Sequence, residues 1–139
     1  MRVTQSAFDP DELIARVERE AEAAQERAIV AQRFAADVAA LRSEARSPKG
    51  EVTLGVDTSG RLTSLVLTDD ALELAPAELS ALILQTAATA QKRVARAAVA
   101  LSEEVFGAQD GVVGQLRGEF EARVGDLDED DDAPTRIRW

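Results

Sequence analysis

A cluster of three basic residues is the feature of this sequence best suited to chemistry, and that chemistry is contact with phosphate groups. Lys92, Arg93 and Arg96 lie close together, and few acidic residues are near them in the sequence. In a helix, Lys92 and Arg96 would lie one turn apart on the same face. Such a set can neutralise nucleic-acid phosphates, and a dimer would double it. The alternative is a solvated helix face, and the sequence favours neither interpretation.

A second basic set lies nearer the N-terminus. Arg16, Arg19 and Arg27 fall on one face of a helix, because their spacings are close to whole helical turns. Here a solvated face is the favoured interpretation, since acidic neighbours are available to pair with the arginines. Those neighbours are Glu12, Glu20, Glu22 and Glu26.

No catalytic pattern accompanies the basic residues. The sequence has no histidine and no cysteine, which removes the commonest general base, the thiol nucleophile and the thiolate metal ligands. It also lacks a glycine-rich phosphate loop and a nucleophile elbow. The adjacent carboxylates Asp69 and Asp70 fit solvation or helix capping better than a metal site. We therefore expect a protein that is not an enzyme and that uses no cofactor or metal.

The basic sets need a scaffold, and its centre is a predicted β-hairpin at residues 50–67. Aliphatic residues alternate with threonine and glycine over 52–56, which is the period of a half-buried strand. A turn ending at Gly60 and a second aliphatic run over 62–67 complete the hairpin. One hairpin alone is marginal in water, so helices or a second copy must cover it. The residues predicted for the core or the dimer contact are Val52, Leu54, Val56, Leu65, Leu67, Leu79 and Ile83.

Two long alanine-rich helices are predicted to flank the hairpin. The first starts with Asp9 as its cap and Pro10 in its first turn, and it runs to about Arg42. The second starts at Pro76 and stops at Gly107. In both helices, mostly small apolar residues recur at steps of four and three, the period of a coiled-coil seam. Because alanine buries little area, a monomeric core would be thin, and we expect a homodimer.

The composition changes after Gly107, where glycines and then acidic residues accumulate. The net charge is −10, and half of it falls after position 107. Residues 126–132 are a block of like charge, which predicts disorder. Such a tail is either a solubilising segment without contacts or a competitor for the helix arginines. The expected divisions are a flexible N-terminus at 1–8, the main domain at 9–107, a weakly structured glycine-containing segment at 108–125 and a disordered acidic tail at 126–139.

The order of these elements resembles the YbaB/EbfC family of small bacterial nucleoid-associated proteins. The resemblance covers about residues 9–107 and rests on the two long helices and on the motifs SPKGEVTLGVD, SGRLTSLVLTD and ALELAPAEL. It implies an α+β fold: a long helix, a small antiparallel sheet and a second long helix. It also implies a tweezer-shaped homodimer whose three-stranded sheets join, with a third strand at about residues 41–47. The six basic residues would then bind DNA with little or no sequence preference.

The resemblance also leaves a second class of function open. Acidic members of this family occur in actinobacteria beside type VII secretion genes. This makes a protein-interaction adaptor or secretion-associated chaperone, with little DNA binding, the alternative. The sequence has no apolar run long enough to span a membrane, and Met1–Ser6 lacks the apolar core of a signal peptide. We therefore expect a cytoplasmic protein without membrane contact, located in the nucleoid if it binds DNA.

Overall fold

The structure is a computed structural model that describes residues 9–129. The chain divides into two units between Ala35 and Ala36, and the first unit holds most of the N-terminal helix. Along the chain the elements are α1 (Pro10–Ala40), β1 (Arg42–Arg46), β2 (Val52–Asp57), β3 (Leu62–Leu67), α2 (Asp69–Leu72), α3 (Pro76–Phe106) and α4 (Gly111–Val124). The α+β fold class and the order of long helix, small antiparallel sheet and long helix are confirmed.

The predicted starts and stops of both long helices are found. The carboxylate of Asp9 accepts a hydrogen bond from the Asp11 N–H at 3.0 Å, which caps α1. Pro76 lies at the start of α3, and Gly107 ends that helix with φ +88°. Along α1 no described residue is buried. Its large apolar side chains are exposed within the first unit, namely Leu13, Ile14, Val17, Ile29 and Val30.

The sheet has three antiparallel strands in the order β1-β2-β3, so the hairpin and the third strand are both confirmed. Gly60 has φ +82° and lets the β2–β3 turn close. In the register, Leu54 of β2 is paired with Ala45 of β1 and with Leu65 of β3. Paired residues share one face of a sheet, so these three define the face toward the core.

Helix α3 covers the core face of the sheet at β1 and β2. Val52, Leu54 and Val56 are fully buried there, against Ala90 and Val94 of α3. Leu67, Leu79 and Ile83 pack around them and are partly buried. Leu65, on the same face of β3, is 45% exposed. The apolar face of the sheet therefore continues past the area that α3 covers.

The segment expected to be weakly structured differs from the expectation, because it contains the 14-residue helix α4. The Asp110 carboxylate caps it by accepting from the Val112 N–H at 2.8 Å. Val113 and Phe120 are buried against Ala95, Ala98 and Val99 of α3. The helix glycines lie on open sides, where an added Cβ would meet no atom within 4 Å. They lower helix propensity without disturbing this packing.

The described start of the expected disordered tail is also packed on the protein. Leu127 is 4% exposed and joins the cluster formed by Phe120, Val113 and α3. The chain reaches this position through Gly125, which ends α4 with φ +88°. The rest of the acidic tail, residues 130–139, and the N-terminal segment expected to be flexible, residues 1–8, lie outside the described residues.

Asp57 holds the β2–β3 turn and has a lowered pKa. Its carboxylate accepts from the Arg61 N–H at 3.0 Å and from the Ser59 N–H at 2.9 Å. These hydrogen bonds, the one from Arg61 foremost, lower its pKa below the ordinary 3.8 because they stabilise the charged form, although burial acts in the opposite direction.

Asp57→Asn is expected to lower the free energy of unfolding at neutral pH, because the neutral amide accepts these hydrogen bonds less strongly. A depressed pKa contributes stability above the unfolded-state value, and that contribution is lost as pH falls through the folded-state value. The difference between the two proteins should therefore shrink below about pH 4. Urea unfolding at several pH values tests this, and a difference that stays constant down to the acid limit would contradict it.

Candidate nucleic-acid interface

The three basic residues of α3 lie on the part of the helix that contacts both the sheet and α4. Ala90 and Val94 pack on the sheet, whereas Ala95 and Ala98 pack on α4. Arg93 is exposed, and its guanidinium donates to the backbone carbonyl of Glu44 on β1 at 3.0 Å. Arg93 thus links α3 to the edge strand of the sheet.

Lys92 and Arg96 contact the segment that follows α4. The Lys92 ammonium lies 3.5 Å from the Glu129 carboxylate, and its side chain is 21% exposed. The Arg96 Nε donates to the Leu127 carbonyl at 2.6 Å, and its Nη2 donates to the Glu129 carbonyl. The structure therefore brings two of the three predicted α3 residues together on residues 127–129 of the same chain.

The predicted arginines of α1 are in a different situation. Arg16, Arg19 and Arg27 are all exposed. Among residues 9–129, no ion pair within 4.0 Å joins any of them to an acidic side chain. The pairing with neighbouring glutamates that the sequence suggested is not seen, and these three guanidinium groups face solvent.

Two further arginines, Arg117 and Arg123, make contacts that were not predicted from the sequence. Arg117 of α4 lies 3.2 Å from Asp128, 3.6 Å from Glu121 and 3.9 Å from Glu103. Only the spacing of Arg117 and Glu121, one helical turn, was visible in the sequence. The Arg123 guanidinium lies 4.8 Å from the centroid of the Phe120 ring and donates to the Thr58 carbonyl at 3.3 Å. Arg123 therefore ties α4 to the β2–β3 turn.

The adjacent carboxylates Asp69 and Asp70 lie at the start of a helix. Asp69 and Asp70 form the first turn of α2, where carboxylates interact favourably with the helix dipole. The Thr68 hydroxyl caps that turn by accepting from the Ala71 N–H. Within the described part of the chain, no three His, Cys, Asp or Glu residues are grouped so that they could hold a metal ion.

The chain matches a known protein family. A family model described as the YbaB/EbfC DNA-binding family matches residues 11–109. The match spans α1, the sheet, α2 and α3, and it ends before α4. No curated protein and no solved structure matches the chain. None of the described helices is long and apolar enough to cross a membrane.

Proposed function

The chain belongs to the YbaB/EbfC DNA-binding family, and on that premise we propose that it is a nucleoid-associated protein that binds DNA as a homodimer. It acts without catalysis or a cofactor, in the cytoplasm, and it binds DNA with little or no sequence preference. The observation that carries this proposal is the family match over the whole helix–sheet–helix domain. The basic residues are the proposed DNA contacts, and the uncovered face of the sheet is the proposed dimer contact.

The α1 arginines are the first candidates for phosphate contact. Arg16, Arg19 and Arg27 are exposed and have no acidic partner within 4.0 Å among the described residues. Exposed guanidinium groups along one helix face suit the regularly spaced phosphates of a duplex, and they carry no base preference. A homodimer would present this set twice.

The α3 residues form the second set in the proposed interface. Lys92 and Arg96 lie one turn apart, and no acidic residue of α3 lies between Glu78 and Glu103. Arg93 is next to them and already bonds to β1. Contact of this set with DNA requires Lys92 and Arg96 to exchange their present partners for phosphate.

The proposed dimer contact is the apolar face that α3 leaves uncovered. Leu62, Leu65 and Leu67 are paired with the buried Val56, Leu54 and Val52, so they lie on the core face of the sheet. Yet Leu62 is 51% exposed and Leu65 is 45% exposed. Burying these side chains against a second copy would add the apolar area that the thin alanine-rich core lacks.

The two edges of the sheet differ, and the difference favours β3 as the joining strand. β1 carries Arg42, Glu44 and Arg46, and charged edge residues discourage pairing with another strand. β3 is rich in leucine, and among residues 9–129 it has a strand neighbour on one side only. An apolar open edge is a ready template for a second strand, so two copies would join their sheets there.

Binding of the full chain to two unrelated duplexes of equal length tests the proposal. We expect fluorescence anisotropy to give similar dissociation constants for the two, because phosphate contacts are sequence-independent. Absence of binding to either duplex at low salt would refute the proposed function. A strong preference for one duplex would refute only the lack of sequence preference.

A protein-interaction adaptor or secretion-associated chaperone is the second candidate, and the exposed apolar residues of α1 favour it. Leu13, Ile14 and Val17 are all more than 40% exposed. An apolar helix face of this kind can hold a helical partner. Affinity capture from nuclease-treated lysate separates the two candidates. A partner that is lost after Leu13→Ser and Val17→Ser, but kept after Arg16→Gln and Arg19→Gln, would favour the adaptor.

A further inference from the structure

Two of the basic residues in the proposed DNA interface are occupied by the chain's own C-terminal segment. Lys92 lies 3.5 Å from the Glu129 carboxylate, and Arg96 donates to the carbonyls of Leu127 and Glu129. A DNA phosphate would use the same donors, because its oxygens accept hydrogen bonds as the carboxylate and the two carbonyls do, and it carries a negative charge. The segment and a phosphate therefore cannot use these donors at the same time.

The segment is anchored by more than its charges. Leu127 is buried in the cluster with Phe120 and Val113, and Arg117 lies 3.2 Å from Asp128. Within the segment, the Asp128 N–H donates to the Asp126 carboxylate at 2.9 Å, which holds a turn. The turn starts at Gly125, where an added Cβ would lie 4.0 Å from the Cε of Lys92. An apolar anchor and a shaped turn thus place Glu129 beside Lys92.

The sequence that begins at Asp126 has a high density of negative charge. Six of the seven residues from 126 to 132 are aspartate or glutamate. The segment also lies outside the range 11–109 that matches the DNA-binding family. It is therefore an addition to the family domain, and its described residues, 126–129, contact Lys92 and Arg96 of that domain.

From these contacts we propose that the segment beginning at Asp126 is an intramolecular inhibitor of DNA binding, which occupies Lys92 and Arg96 as a phosphate would. The inference rests on the proposed function. Because the segment is tethered, its effective concentration at the site is high, so modest contacts suffice to compete with DNA. DNA must displace the segment to reach the two side chains. Competition of this kind weakens as salt rises, because both sets of contacts are screened.

Two variants of the chain, one with a single substitution and one with two, release the segment by different routes. Leu127→Ser removes the apolar anchor without changing any charge. Asp128→Asn with Glu129→Gln removes the two carboxylates by which the segment pairs with Arg117 and Lys92, and it leaves the anchor in place. Each variant is expected to bind a duplex about tenfold more tightly than the unmodified chain at about 50 mM salt, and the gain should shrink at higher salt.

A charge-matched control separates local competition from general repulsion. Glu104 and Glu119 are exposed acids of α3 and α4, and no ion pair or side-chain hydrogen bond is found for them among the described residues. Glu104→Gln with Glu119→Gln removes the same charge as the Asp128 and Glu129 pair. We expect this control to change DNA affinity by no more than about twofold.

A second control asks whether the gain depends on the basic residues. In a chain with Lys92→Gln and Arg96→Gln, Leu127→Ser is expected to leave DNA affinity unchanged, because the two cations that the segment would release are absent. A direct readout of the contact is the Nε–H signal of Arg96 in ¹⁵N-edited spectra. Leu127→Ser should make that proton exchange faster with water. Circular dichroism verifies that the variants remain folded.

Different results would refute the inhibitor and the proposed function. Tighter binding by both releasing variants, with no gain in either control, supports the inhibitor. Equal affinity of the unmodified chain and both releasing variants overturns it and leaves DNA binding intact. A gain that persists without Lys92 and Arg96 also overturns it. No DNA binding by any of these proteins refutes the proposed function and the inhibitor together.

Discussion

Leu62→Glu and Leu65→Glu in one chain are expected to convert the protein from a dimer to a monomer. Both leucines are about half exposed in the single chain and lie on the core face of β3, next to the area that α3 covers. A glutamate at either position is solvated in the monomer. In the dimer it would be buried without a partner, which costs far more than the lost apolar contact.

Light scattering coupled to size exclusion at micromolar concentration measures this change. The unmodified protein should have twice the chain mass of 14.9 kDa, and the double variant should have the chain mass itself. Val112→Glu is the matched control, since Val112 is 43% exposed on α4, outside the matched family range. An unmodified protein that is monomeric and folded under these conditions would refute the dimer.

Arg16→Gln, Arg19→Gln and Arg27→Gln in one chain are expected to lower DNA affinity at least about a hundredfold at about 50 mM salt. The three side chains are exposed, so their loss should leave the fold intact. In a dimer the substitutions remove up to six phosphate contacts. The slope of log affinity against log salt should therefore become shallower by up to about five.

Arg33→Gln is the control for this prediction. Arg33 is an exposed arginine of α1 that lies about 40° from Arg19 around the helix, at the margin of the face shared by the other three, and it is not one of the predicted contacts. Its replacement should reduce DNA affinity much less than the triple change. If the triple variant binds DNA as tightly as the unmodified chain, the α1 arginines are not part of the interface.

The elements that the sequence predicted well are those with local signals. Pro10 and Pro76 set the helix starts, because proline fits the first helical turn and has no N–H to satisfy. Gly60 and Gly107 set a turn and a helix end through their positive φ. The alternation in β2 placed Val52, Leu54 and Val56 on one face, and all three are buried.

The elements that depend on distant contacts were harder to predict. β1 has the sequence RSEAR, which carries no apolar alternation, and pairing with β2 makes it a strand. α4 contains glycines that weaken helix propensity, and it is stabilised by packing of Val113 and Phe120 on α3. The surface that covers α4 comes from a distant part of the chain and has no local signal in the sequence.

For the candidate site, too, local signals in the sequence predicted some features, and contacts between distant residues determined the others. Clustering and helical spacing identified Lys92 and Arg96, but their partners lie more than 30 residues away in sequence. That contact depends on the turn at Gly125 and on the burial of Leu127, both products of the tertiary fold. The charge density of the tail left a solubilising segment and a competitor for arginines equally open. The contacts of residues 127–129 show which side chains the start of the tail meets.

The salt dependence of DNA affinity for the unmodified chain is the decisive test of the proposal that this protein binds DNA through phosphate contacts. Anisotropy titrations of one labelled duplex between about 50 and 300 mM salt give the slope of log affinity against log salt. If the α1 arginines of a dimer contact phosphates, we expect binding with a slope of about −5 or steeper. No binding at low salt, or a slope near zero, would contradict a nucleoid-associated function for this protein.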